Sequence, residues 1–313
     1  MGSTAPLRAP AGGSPPTADR VLRRLEWHVI RRLDGRLQGN YRTVLRGHGT
    51  DFRDVREYVA GDDVRHIDWN VTARMDEMFV RQYTEDRELT AWLLLDHSPS
   101  MGFGPVQRTK ERVLCDVAGT IAQLFVRGGN RVGAFVYDNE SVRTIPPRQG
   151  RNQVLVVIDA LLQPVSGGRG PVTDLRTLLD RATGIIRRRS LVVLVSDFIS
   201  EPGWERSLLR LAERHEVVAI RLVDTREFEL PDAGLIVVED AETGEQLMVD
   251  SSDPEFRRRL RAAGEEREAA VRGAARRAGV DLHVISTDDD LVTAFVRIVE
   301  SSRHVHRPGP GRR

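Results

Sequence analysis

Leu93-Leu94-Leu95-Asp96-His97-Ser98-Pro99-Ser100-Met101 is the stretch on which the reading of this chain turns. An unbroken apolar run of strand length, with no polar alternation, predicts a strand buried on both faces, as in parallel sheets. The run stops at a carboxylate followed by hydroxyls two and four residues on. Oxygen donors of this kind suit a hard cation such as Mg²⁺, which prefers oxygen and retains several waters.

Two later segments supply further oxygens. Leu191-Val192-Val193-Leu194-Val195-Ser196-Asp197 is a second apolar strand ending in a carboxylate, and Pro171-Val172-Thr173-Asp174-Leu175 places a threonine where a loop turns into a helix. In an open parallel sheet the carboxyl ends of the strands share one edge, and ligands gather where the strand order reverses. Asp96 and Asp197 are therefore expected to be neighbours. From residue 90 onward, strands (91–96, 131–137, a short one at 142–145, 190–196, 217–223, 281–285) alternate with helices (109–127, 152–162, 174–188, 204–215, 254–278, 289–302). A hairpin is expected at 235–249. The alternation predicts an α/β fold, a doubly wound, mostly parallel sheet with right-handed crossovers, preceded by a smaller irregular or β subdomain.

Asp96-x-Ser98-x-Ser100, then Thr173, then Asp197 resembles the metal-ion-dependent adhesion site (MIDAS) of von Willebrand factor A domains, over residues 90–303. The resemblance implies that these five residues hold Mg²⁺, with Mn²⁺ as an alternative, and leave one coordination position for an Asp or Glu of another protein. The alternative reading has the two aspartates capping helices and the hydroxyls satisfying turns.

Upstream, Gly61-Asp62-Asp63-Val64-Arg65-His66-Ile67-Asp68-Trp69-Asn70-Val71-Thr72-Ala73-Arg74 closely resembles the signature of domain-of-unknown-function family 58, supported by residues 52–58 and 80–85. That family joins such a segment to a von Willebrand A-like domain, and its members are commonly encoded beside MoxR-type AAA+ ATPases. The resemblance thus implies a MoxR-type partner. Asp62, Asp63, Arg65, Asp68, Trp69 and Arg74 form either a partner-binding face, with Trp69 as an aromatic anchor, or a salt-bridged, turn-capped framework.

Composition narrows the classes. The 313 residues carry 47 basic and 46 acidic side chains, a formal net charge of +1, which gives no general reason to bind nucleic acid or membranes. Lys110 is the only lysine, and it lies between Thr109 and Glu111, so the chain has no P-loop and any ATP-driven cycle belongs to a partner. The lone Cys115 excludes a disulfide framework and a Cys-based zinc site and reads as a small buried hydrophobe. Residues 1–18 are rich in Pro, Gly, Ala and Ser and lack the apolar core of a signal peptide. No apolar run approaches membrane-spanning length. The expected organisation is a disordered start (1–18), a family-58 subdomain with an amphipathic basic helix (19–88), the α/β domain (89–302) and a disordered basic tail (303–313), in the cytoplasm. The leucines and Trp27 of the basic helix are expected to pack on the main domain.

Enzyme readings find little support. A phosphoryl-transfer site with Asp96 as nucleophile would want a second aspartate where Ser98 stands and a core lysine, for which only Lys110 is available. A metal-dependent hydrolase would need a base beside a metal-bound water. His97 is the one candidate, and it is expected to be a loop or surface residue. No catalytic residue is assigned. The sequence points to an interaction protein, an adaptor or co-chaperone of a MoxR-type ATPase that grips a client's carboxylate; the alternative is a metal-dependent hydrolase using the same pocket.

Overall fold

Strand β3 (Thr90–Asp96) is buried along almost its whole length because it is paired on both sides, in parallel, with β4 (Arg131–Tyr137) and β6 (Leu191–Ser196). The computed structural model describes residues 17–33, 55–59, 64, 67, 69–75, 77–81, 90–104, 108–164, 172–230, 232–239 and 244–305. The main sheet extends through β7 (Glu216–Val223) to β10 (Asp281–Ser286) on one side, and through β4 to β5 (Val142–Arg148) on the other. Its order is β10-β7-β6-β3-β4-β5, all parallel except β5, which forms an antiparallel pair with β4.

Helices cover both faces, so the sheet is doubly wound as expected. One face packs against α3 (Lys110–Arg127), α4 (Arg151–Leu162) and α8 (Leu291–Val305), the other against α5 (Leu175–Ile185), α6 (Trp204–Ala212) and α7 (Pro254–Ala278). Side-chain caps fix where three of these helices begin: Thr109, Asp174 and Asp253 accept from the backbone N–H of Arg112, Arg176 and Glu255. On the second face Trp92 stacks on Phe135 with ring centroids 4.9 Å apart. Gly133 makes room for that pair, since a Cβ there would lie 2.7 Å from the Trp92 ring and 3.1 Å from the Ile145 carbonyl oxygen. Gly133→Ala is therefore expected to lower stability by about 1–3 kcal/mol, the usual cost of overpacking. Urea unfolding checks it, with a shifted midpoint and an unchanged slope.

Helix α1 (Ala18–Leu25) runs on through a π-helical turn, Glu26–Ile30, to residue 33. Val21, Leu22, Leu25, Val29, Ile30 and Leu33 are buried with the residues of α3 and α4, so by packing this helix completes the core of the α/β unit. Trp27, expected to pack as well, is 61% exposed, with the Arg31 guanidinium 4.0 Å above its ring. Two residues past Leu25, Trp27 falls on the far side of the helix from the buried stripe. Between α1 and β3 a two-stranded antiparallel sheet pairs β1 (Val55–Glu57) with β2 (Phe79–Arg81), beside α2 (Trp69–Met75). A second antiparallel pair, β8 (Leu235–Glu239) with β9 (Gln246–Asp250), forms the expected hairpin and pairs with no other strand among the described residues. Among those residues no helix is long and apolar enough to cross a membrane.

Candidate metal centre

From β3 the chain builds one half of the sheet through β4 and β5, then returns past β3 to start the other half at β6. The strand order therefore reverses between β3 and β6, and the crevice for a ligand opens at their carboxyl ends. Asp96 and Asp197 stand there. The register pairs Leu95 with Val195, which sets Asp96 beside Ser196, and the Ser196 hydroxyl donates to Asp96 Oδ2 at 2.6 Å. Asp96 Oδ1 accepts from the backbone N–H of Ser98 at 3.1 Å. The 3₁₀ turn Pro99–Gly102 folds Ser100 back, so that its hydroxyl lies 3.1 Å from that of Ser98. Beyond β6, Asp197 Oδ1 accepts from Ile199 N at 2.9 Å, and Phe198 takes a left-handed backbone conformation with φ 60°. Such a conformation is uncommon for a bulky residue, and it makes the sharp turn that holds Asp197 at the strand end.

Thr173 reaches the same edge. Its carbonyl accepts from Glu201 N at 2.8 Å, while Asp174 N donates to the Tyr137 hydroxyl at 3.1 Å and Leu175 N to the Ser200 hydroxyl at 3.0 Å. Residues 173–175 are thereby tied to the ends of β4 and β6. Asp96, Ser98, Ser100, Thr173 and Asp197 are all buried.

A further participant is one the sequence reading set aside. Lys110, the first residue of α3, is fully buried, and its ammonium donates to Asp197 Oδ2 at 2.6 Å and also to Glu227 Oε1. Glu227 is placed by a 3₁₀ turn, Thr225–Glu227, capped by Asp224, whose other oxygen accepts from the Thr287 hydroxyl at 2.5 Å. Arg221, also buried, donates through Nε to the Asp197 carbonyl at 3.4 Å. Burial alone would push the Lys110 ammonium down, but Asp197 and Glu227 outweigh it and raise it. Burial raises Glu227 against the opposing pull of Lys110.

Among the described residues no cation pairs with Asp96. Burial first, and then the charge of Asp197, raise its carboxyl to about 6, against the lowering effect of the Ser196 and Ser98 hydrogen bonds. The folded protein therefore holds more protons than the unfolded chain between the ordinary aspartate range and about 6, and stability falls as pH rises through that window. Without metal the loss from pH 4 to pH 7 is expected to be about 2–3 kcal/mol. Urea unfolding in EDTA across that range checks it, and Asp96→Asn should flatten the slope by the Asp96 share, leaving that of other raised carboxyls such as Glu227.

The donors fit a hard divalent cation. They are all oxygens, and among the described residues no cation pairs with the Asp96 carboxylate. Among the described residues no three His, Cys, Asp or Glu side chains are grouped so as to hold a metal ion, so an ion here would depend on the Ser98, Ser100 and Thr173 hydroxyls beside the two aspartates. Lys110 already answers part of the Asp197 charge, so the two aspartates would not by themselves neutralise a bound divalent ion.

His97 sits in the loop after β3 but is buried, not at the surface, with Nε2 3.1 Å from Glu111 Oε1. This bond turns its imidazole toward α3. Cys115 is buried, and burial raises its thiol to about 12. Of the expected partner-binding residues, Trp69 (67% exposed) and Arg74 lie on the exposed surface of α2, whereas Asp62, Asp63, Arg65 and Asp68 fall outside the described residues.

Comparison with known proteins places the chain. An uncharacterized protein of Mycobacterium tuberculosis is 38% identical over 286 residues, which cover 90% of this chain and 89% of that protein. Among solved structures, the conserved hypothetical protein BatB from Bacteroides thetaiotaomicron is similar with a TM-score of 0.42 at 12% identity, over 69% of this chain and 99% of that one. The SpRpn10 VWA domain gives a TM-score of 0.37 at 15% identity, over 67% and 94%. The family described as "Protein of unknown function DUF58" matches residues 54–270, and the chain belongs to that family.

Proposed function

We propose that this chain is a divalent-cation-dependent protein-binding module, a cytoplasmic adaptor or co-chaperone of a MoxR-type AAA+ ATPase. The observation that carries the reading is the meeting of the Asp96 carboxylate and the Ser98 and Ser100 hydroxyls at the switch point of the sheet, with Asp197 on the adjoining strand. In this reading Asp96, Ser98, Ser100, Thr173 and Asp197 form a MIDAS that holds Mg²⁺, or Mn²⁺ in its place. The bound ion would supply an electrophilic centre for a carboxylate of a client or partner. Ser196 and the Ser98 backbone orient Asp96, and Lys110 fixes Asp197. The segment around Trp69 and Arg74 is the second contact face. The ATPase partner rests on the family resemblance, since the chain has no P-loop of its own.

Pull-down of the co-expressed MoxR-type ATPase, in Mg²⁺ and in EDTA, tests the proposal with wild type and Asp96→Ala. Capture is expected only for wild type in Mg²⁺; equal capture in all four conditions rejects the metal-bridged contact. A metal-dependent hydrolase remains the second reading, favoured by the buried Lys110 beside Asp197, a core lysine of the kind phosphoryl-transfer sites use. Turnover of phosphoesters or peptides above an Asp96→Ala control would establish it.

A further inference from the structure

The six-stranded sheet has two edges, and the sequence treats them differently. β5 carries Pro146 and Pro147, which have no N–H to offer a further strand, and Arg143 and Arg148 beside them. Such residues are the usual protection of an edge. β10 reads Asp-Leu-His-Val-Ile-Ser, without Pro, Lys or Arg, and among the described residues it pairs with β7 alone. Its open side lies in a groove of about 720 Å³, walled by Arg272 and Arg276 of α7 and by Arg297 and Ile298 of α8, with Leu282 and His283 along β10. His283 Nε2 is buried there with no hydrogen-bond partner. Arg272 pairs with Glu268 and Arg297 with Asp289, exposed pairs that exchange partners at little cost.

The β8–β9 hairpin has the opposite character. Leu235 is 71% exposed, Leu247 64% and Met248 67%. The register places Leu235, Val237 and Met248 on one face, and Leu247 on the other with Val238. The outer edges of both strands pair with no other strand among the described residues. Residues 227–256 contain ten acidic side chains and no basic one. The hairpin is thus an apolar, acid-flanked strand donor, and the groove is an arginine-walled strand acceptor.

We propose that the β8–β9 hairpin of one copy adds to the β10 edge of a second copy, with main-chain hydrogen bonds supplying affinity and the arginine walls receiving the acidic flanks. Leu247 and Met248 then cover Leu282 and Ile298. The chain's own ends are poor occupants, because residues 1–17 and 303–313 contain Pro and Arg and no acidic residue. A direct β10–β10 pairing would bring the helices walling one edge against those walling the other, whereas a slender hairpin enters between them. Donor and acceptor are different surfaces, so the contact either closes as a reciprocal two-fold dimer or runs head-to-tail into a ring or a filament.

Sedimentation velocity on the full chain tests the proposal without knowledge of any other partner. Wild type is expected to associate with rising concentration, to a dimer or larger, and less so in high salt, which screens the arginine contacts. Arg276→Glu should block the groove and Leu247→Ser/Met248→Ser the hairpin, each leaving a folded monomer, since all three side chains are exposed. An equimolar mixture of the two variants retains one good hairpin and one good groove and should form a heterodimer and nothing larger. A wild type that stays monomeric at every concentration overturns the proposal. So does association that survives both sets of substitutions, or a mixture that does not dimerise.

Discussion

Lys110→Met is expected to destabilise the protein by about 3–5 kcal/mol, the largest single effect foreseen outside the core. The ammonium is fully buried and is shared by Asp197 and Glu227, which are themselves nearly enclosed. Deleting it leaves two carboxylates in a low-dielectric pocket, and the cost is the uncompensated charge more than the lost hydrogen bonds. Lys110→Met in a Glu227→Gln background should lose less, with a coupling of about 0.5–3 kcal/mol between the two positions. Lys110→Arg is not expected to rescue, since a guanidinium needs a planar fork of acceptors where the pocket provides point contacts. Chemical unfolding of wild type, Lys110→Met, Glu227→Gln, the double variant and Lys110→Arg decides it. A Lys110→Met variant as stable as wild type would show that the ammonium does not hold these carboxylates together.

Asp96→Asn should have the opposite sign. Burial and the neighbouring Asp197 raise the Asp96 carboxyl to about 6, so at pH 7.5 the folded protein carries a charge it disfavours. Asparagine removes that charge while its oxygen still accepts from Ser98 N, and the metal-free protein should gain about 1–3 kcal/mol. Ser196 must turn to accept from the new amide, which offsets part of the gain. The same change removes the one carboxylate at the centre without a partner cation, and Mg²⁺ affinity should fall by more than the roughly 10- to 100-fold typical of losing an outer-shell group. Thermal unfolding with and without Mg²⁺ reads both effects. Wild type is stabilised by the ion and the variant is not, although the variant starts higher. Stability given up for binding is the usual mark of a functional site, and a variant less stable than wild type in EDTA would remove that interpretation.

Much of this arrangement was legible in the sequence. The apolar runs at 91–95 and 191–195 are too short for helices and too uniform for half-exposed strands, so they had to be central parallel strands, and their terminal aspartates had to share an edge. The hairpin followed from the turn-forming residues between two short apolar segments. The pairing of Lys110 with Asp197 and Glu227 was not legible because these partners lie 87 and 117 residues away, a separation no periodicity reports. A signal was nonetheless present: this is the only lysine among 47 basic residues, and a compact ammonium is kept where the broad guanidinium does not fit. Trp27 departed from expectation because it lies on the far side of the helix from the leucine stripe, which the 3.6-residue pattern already implied, and His97 because a loop residue can be buried against the first turn of α3.

The most direct measurement is anomalous diffraction from crystals of the full chain grown or soaked in Mn²⁺. The account predicts one strong anomalous peak at the carboxyl ends of β3 and β6, within bonding distance of Asp96, Ser98 and Ser100 and absent from Asp96→Asn crystals. A pocket with no peak at saturating Mn²⁺, while the Lys110–Asp197 pair stays intact, would contradict the claim that these oxygens form a cation site.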